Sequence, residues 1–225
     1  MPVTKEQMIK QHIIKRGIKD EDVINALREV DRSDFLPKEL KKHAYEDGPL
    51  PIGKGQTISQ PYIVAFMAQA LNLDKDSKVL EVGTGCGYNA AVLSKLAKSV
   101  YTIEIIDWLA EKAQKTIDTL DYKNIFIKYG DGYKGWPDKA PFDAIIITAA
   151  PPSIPEPLKE QLKVGGKLLA PVGTIRQELI MLEKVEERKY RQRGLMPVRF
   201  VPMTGQAQNT NYDLPQEIDD ATDTF

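Results

Sequence analysis

Three glycines at alternate positions, Gly83, Gly85 and Gly87, close a short apolar run, Val79-Leu-Glu-Val-Gly-Thr-Gly-Cys-Gly-Tyr88. Glycine lets backbone adopt positive φ and approach a bound molecule closely. At the carboxyl end of a buried parallel strand, such a loop makes a ligand crevice. A tight turn would account for one glycine; three at alternate positions, after the first strand of a strand–helix series, point to a ligand. The dinucleotide fingerprint G-x-G-x-x-G would put its third glycine at 88, where the chain has Tyr88. The pattern is instead G-x-G-x-G, with Glu81 two residues upstream. One strand later the chain reads Tyr-Thr-Ile-Glu104, and a carboxylate at that strand end can accept both hydroxyls of a ribose. The third strand runs into Gly-Asp131-Gly132, by itself an Asp-Gly turn.

Other reactive side chains fit the usual schemes poorly. Cys86 sits among the loop glycines with no nearby histidine and reads as a small packed residue, not a nucleophile. His12 and His43 are far apart in sequence and match no metal spacing, so no metal is expected.

The elements that must position these groups alternate. Residues 4–16 and 20–30 read as two amphipathic helices, the second capped by Asp20 with Val23, Leu27 and Val30 on one face. A Pro-, Gly- and charge-rich arm follows, and then a helix with Ser59 as its cap, Pro61 in its first turn and an apolar stripe of Ile63, Phe66, Met67 and Ala70. From 78 onward strands at 78–82, 100–104, 125–129, 142–148 and 166–172 alternate with helices at 89–97, 107–120 and 155–162. A last strand pair, 179–185 and 194–202, flanks the charged turn EERKYRQR. This order predicts an α/β fold: a doubly wound, Rossmann-like, mostly parallel sheet with an antiparallel strand pair at its C-terminal end and an N-terminal helical extension. The expected divisions are a helical extension and covering arm at 1–76, a ligand-binding core at 77–205, and an acidic tail at 206–225 to which no function is given.

The bulk numbers narrow the setting. The chain has 225 residues, 42% hydrophobic and 28% charged, enough for one α/β domain with a modest extension. Lys+Arg is 31 against Asp+Glu 32, so a phosphate backbone is not an expected partner. The single cysteine excludes an internal disulfide and suits a reducing compartment. Charges interrupt the N-terminus every few residues, leaving neither a signal segment nor a membrane span there. A cytoplasmic location is expected.

The loop with its upstream glutamate resembles motif I of the class I S-adenosylmethionine (AdoMet)-dependent methyltransferases, in which it holds the amino-acid part of the cofactor. A second segment, Pro49-Leu-Pro-Ile-Gly-Lys-Gly-Gln-Thr-Ile-Ser-Gln-Pro61, resembles the signature of the protein-L-isoaspartate O-methyltransferases. The likeness continues through GTGCGYNAAVL, GDGYKGWPDKAPFDAIIITAAPPSIP, VGGKLLAPVG and RFVPM, covering about 4–204 in order. It departs at the end: many members read V-P-L-V or V-P-L-T where this chain has Val201-Pro-Met-Thr204 and then a different tail. The resemblance implies cofactor contacts from Gln56, Thr57, Ile58, Glu81, Gly83, Thr84, Gly85, Gly87, Glu104, Ile105, Asp131, Gly132 and Thr204, with Asp131 on the adenine amino group. It implies that Ser59 touches the reacting carboxylate, that AdoMet leaves as S-adenosylhomocysteine, and that the N-terminal extension helps enclose the site.

What would be methylated follows from the same comparison. Amino-group methyltransferases of nucleic acids often carry [D/N]-P-P-[Y/F] after the fourth strand; here Ala150 precedes the prolines and Ser153 follows, so both working ends are missing. The family substrate is the free α-carboxylate of an L-isoaspartyl residue in a damaged protein or peptide. Its ordinary pKa of roughly 3.5–4 leaves it ionised at neutral pH, so no general base is required, and none is evident. The resulting methyl ester breaks down to a succinimide, whose hydrolysis returns some normal aspartate. Two other readings compete: another class I methyltransferase acting on a small molecule or RNA, and a non-catalytic AdoMet-binding module.

Overall fold

The computed structural model describes residues 2–208. At the N-terminus, α1 (Lys5–Met8) runs through a π turn, Ile9–Ile13, and a 3-10 turn, Ile14–Arg16. The predicted helix over 4–16 is therefore helical throughout but changes pitch twice. Thr4 and Gln7 close a capping box at its start. In α2 (Glu21–Glu29) the Asp20 carboxylate caps the amides of Asp22 and Val23 as expected. Val23, Leu27 and Val30 are buried together. Two 3-10 turns, Arg32–Phe35 and Lys38–His43, lead into the hairpin β1 (Leu50–Gly53) and β2 (Gln56–Ile58).

The helix that follows, α3 (Pro61–Leu71), corrects two expectations. Its cap position is Gln60, not Ser59, and no side chain caps it. Pro61 fills the first helical position with its φ already set, which moves the boundary one residue past the serine. Its face is also rotated. Met67 is buried as predicted, but Val64, Ala65, Ala68 and Leu71 are buried with it, while Ile63, Phe66 and Ala70 are only partly covered. The helix lies between the N-terminal helices and the sheet, so apolar residues line it on nearly every side and a single stripe does not describe it.

The sheet is built from β3 (Lys78–Val82), β4 (Ser99–Glu104), β5 (Ile125–Tyr129), β6 (Phe142–Ile147), β7 (Leu162–Val172), β8 (Gln177–Glu186) and β9 (Lys189–Val198). Its order is β5-β4-β3-β6-β7-β8-β9, parallel from β5 to β7 and antiparallel beyond. The helices α4 (Tyr88–Ser94), α5 (Asp107–Thr119) and α6 (Glu156–Glu160) cross between strands. This is the predicted doubly wound sheet with its antiparallel end. The stretch EERKYRQR is not all turn, however: Lys189–Arg193 belong to β9, and the reversal tightens to Glu187-Arg188, where Arg188 takes φ +60°. Glu183 faces Arg191 across the strand pair, and the charged residues make a solvated edge strand.

The isoleucine run of β6 is buried on both faces, as its sequence predicted. One apolar cluster joins Met8, Ile13, Leu27 and Ala65 of the N-terminal region to Val79, Val92, Val100 and Ile146 of the sheet layer. The N-terminal region thus shares a core with the sheet. Of the expected acidic tail, Gln206–Gln208 form part of a 3-10 turn, and the rest lies outside the described residues.

Candidate active site

Strand order reverses at β3, whose neighbours are β4 and β6. The crevice outside the carboxyl ends of such strands is where this architecture binds ligands. The residues following β3, β4 and β6 meet there, and the backbone after β3 is shaped for close approach. Gly83, Gly85 and Gly87 take φ of +102°, +55° and +89°. A Cβ on Gly83 would stand 2.3 Å from Thr148 Oγ1, and one on Gly85 would press on Ile52 of β1 at 3.3 Å. The loop is therefore squeezed between the end of β6 on one side and the arm hairpin on the other. Gly87 serves packing, since its Cβ would point at Ile117 of α5 at 3.4 Å.

Glu104 fixes the loop electrostatically. One carboxylate oxygen accepts the Gly85 amide at 2.8 Å and the other the Ile106 amide at 2.9 Å. Each oxygen keeps a further lone pair, and the side chain lines the cleft. With it the cleft walls include Gln56, Thr57, Gly83, Gly85, Ile105, Gly132 and Thr204 of the predicted set. Sequence reasoning missed Thr148, Ile106, Val201 and Met203, which also line it. Thr148 had a signal, since it stands directly after β6; its hydroxyl donates to the Gly83 carbonyl at 2.7 Å.

Glu81 and Ile58 lie behind the cleft wall, and Asp131 is half-buried beside Gly132. Glu81 is fully buried, accepting from Asn89 Nδ2 at 2.8 Å and from Thr102 Oγ1 at 2.5 Å. Thr102 in turn meets Thr84 Oγ1 at 2.7 Å, so a chain of oxygens runs beneath the glycine loop. Burial pushes the Glu81 carboxyl up to about 7, with the Glu104 charge adding to the effect and the hydrogen bonds from Thr102 and Asn89 opposing it. Ile58 is buried in the apolar cluster. Asp131 has both oxygens engaged within the chain, one by the Tyr133 amide at 2.9 Å and one by the Gln206 amide at 2.8 Å. Cys86 is buried, and its thiol is raised to about 11 by that burial, which makes it inert.

A second cleft adjoins the first and shares Thr57, Thr148 and Val201 with it. Ser59 lines this second cleft, and its hydroxyl makes no hydrogen bond with any described residue. The serine is held there through its backbone. Arg32 is wholly buried and donates to the carbonyls of Ala44, Gly48 and Ser59 at 2.5, 3.0 and 3.1 Å. One cation thus gathers three points of an otherwise irregular arm. Nothing in the sequence around Arg32 announced this, because its partners are backbone carbonyls up to 27 residues away.

Glycine backbone with no room for side chains, a carboxylate at the second strand end and an open cleft between them suit AdoMet, and fold and site together define a class I AdoMet-dependent methyltransferase. Residues 3–208 match the protein-L-isoaspartate(D-aspartate) O-methyltransferase family. The chain belongs to that family. A protein-L-isoaspartate O-methyltransferase from Synechococcus sp. (strain JA-2-3B'a(2-13)) is 51% identical over 207 residues, covering 88% of this chain and 84% of the relative. One from Pelotomaculum thermopropionicum is 50% identical, covering 90% and 89%. A solved protein-L-isoaspartate O-methyltransferase superposes with a TM-score of 0.84 at 30% identity, over 91% of this chain and 67% of the other. A Plasmodium falciparum structure of the same description, in complex with S-adenosyl-L-homocysteine, gives 0.79 at 26% identity over 90% and 99%. The activity is AdoMet-dependent methylation of isoaspartyl residues in proteins.

Proposed function

We propose that the two clefts divide this reaction between them. The first takes AdoMet, against Gln56, Thr57, Gly83, Gly85, Glu104, Ile105, Gly132 and Thr204. Glu104 accepts from the ribose, while Glu81, Thr84 and Gly87 hold the loop from behind. The second takes the isoaspartyl carboxylate beside Ser59. The observation that carries this reading is the junction: Thr57, Thr148 and Val201 belong to both clefts. AdoMet, when bound, supplies a cationic methyl as electrophile. The protein has to place a carboxylate that is already charged and keep water from it, because the usual carboxylate pKa needs no base at neutral pH. The Ser59 hydroxyl, which makes no hydrogen bond with any described residue, donates one to that carboxylate.

In this reading residues 1–76 act as the arm that closes the site. Recognition is of peptide backbone and the displaced carboxylate, which separates isoaspartyl from aspartyl linkages. The single buried thiol favours a cytoplasmic setting. Among the described residues no helix is long and apolar enough to cross a membrane.

Replacing Ser59 by alanine tests the assignment. A hydrogen bond to a charged group is worth roughly 1.5–3 kcal/mol, so Ser59→Ala should slow turnover by about 10–100-fold while AdoMet affinity changes little. The melting temperature should hold, because Gln60 and not Ser59 occupies the cap of α3. Normal turnover in the variant would remove Ser59 from the reaction.

A further inference from the structure

The cleft beside Ser59 does not end there. It runs past Pro197, Val198, Arg199 and Phe200, which also line a larger groove along the β7–β8 turn. That groove has about 1040 Å³ of free volume against about 500 Å³ beside Ser59. A peptide segment reaching the junction therefore has a continuing path for the residues that flank its reacting carboxylate.

The charges along this path are one-sided. Among the described residues Arg16, Arg199 and Arg176 line it, opposed by a single acid, Glu178. Arg16 is committed within the protein. Its guanidinium bonds Asp47 at 2.8 Å and lies 3.5 Å from the Tyr62 ring centre. Arg199 and Arg176 have no ion-pair partner among the described residues. Glu178 also has no ion-pair partner, and it lies along β8 against the backbone of Gly194 in β9. Among the described residues Arg199 is thus an uncompensated cation on a wall common to both cavities, close to where an anionic substrate must enter. Arginine at such a position attracts carboxylates, and its planar fork offers them five N–H donors.

We infer that Arg199 is a specificity-determining residue that favours isoaspartyl segments flanked by acidic side chains, with Arg176 extending the preference along the groove. This rests on the reading of the Ser59 cleft as the substrate cleft. The size of the effect is that of an exposed charge pair, about 1.4- to 5-fold in KM for each acidic neighbour engaged, shrinking as salt screens it.

The test uses the full chain with AdoMet and three isoaspartyl peptides that differ only in the residues flanking the isoaspartate: two Glu, two Gln or two Lys. The expected order of KM is Glu below Gln below Lys, at low ionic strength. Arg199→Gln should lower the Glu-to-Lys ratio to what Arg176 alone supports, and Arg199→Lys should keep most of it, with thermal melts showing each variant folded. Equal KM for the three peptides with the wild-type protein, or an undiminished ratio in Arg199→Gln, would overturn the inference and leave the substrate cleft standing. If none of the three peptides were methylated, the substrate-cleft reading would fail and this inference with it.

Discussion

The two halves of the site are built by different means. On the proposed cofactor side, glycine backbone, a strand-end carboxylate and a buried oxygen chain occur within about one strand–helix–strand unit, so their chemistry is written in consecutive residues. On the proposed substrate side, Ser59 and its arm are placed by Arg32 and by burial against the sheet, through contacts that span tens of residues. A site half that follows strand topology is stabilised by the sheet itself. A half made of irregular chain depends on a few side chains that satisfy backbone carbonyls.

The largest expected effect is on the cofactor side. Glu104→Ala removes acceptors for the amides of Gly85 and Ile106 together with the proposed ribose contact. With charge-assisted bonds worth roughly 1.5–3 kcal/mol each, AdoMet affinity should fall by about 100-fold or more. Calorimetry showing unchanged affinity in a folded variant would break the cofactor half of the comparison.

Next is Arg32→Leu on the substrate side. It leaves three carbonyls to find new partners, at roughly 1–3 kcal/mol for each that stays unpaired, partly offset because a desolvated cation is no longer buried. The expected result is a lower melting temperature and a larger loss in peptide turnover than in AdoMet affinity. Equal losses in both would mean that the arm and the glycine loop are one cooperative unit rather than two.

The smallest effect concerns Glu81 and sharpens how the loop is supported. Its folded pKa, about 7, is raised above its ordinary value of 4.5. The folded protein therefore holds a proton that the unfolded chain releases, and this contribution to stability is complete below about 4.5 and lost as pH rises through 7. Glu81→Gln should flatten that part of the pH–stability curve measured by denaturant melts. An unchanged slope would mean that Glu81 is ionised in the folded state.

How much of this was legible from sequence follows the same division. Gly83, Gly85 and Glu104 could be read because positive φ and strand-end position leave local signatures, and the sheet followed from alternating apolar runs. The arm could not be read in the same way. Ser59 looked like a helix cap, but Pro61 shifted the start of α3 by one residue and freed the hydroxyl. The face of α3 could not be chosen because a helix packed on several sides has no single stripe. Asp131 is expected to face adenine from its strand-end position; that its oxygens also accept from the Tyr133 and Gln206 amides, the latter 75 residues away, is a contact no local pattern encodes.

The central claim is that a carboxylate displaced by an isoaspartyl linkage is methylated where the two clefts meet. It is tested most directly by incubating the full chain with AdoMet and a matched pair of peptides, one L-isoaspartyl and one L-aspartyl, and counting methyl ester formed. Ester is expected on the isoaspartyl peptide, with little on its aspartyl twin. Equal ester on both would contradict it.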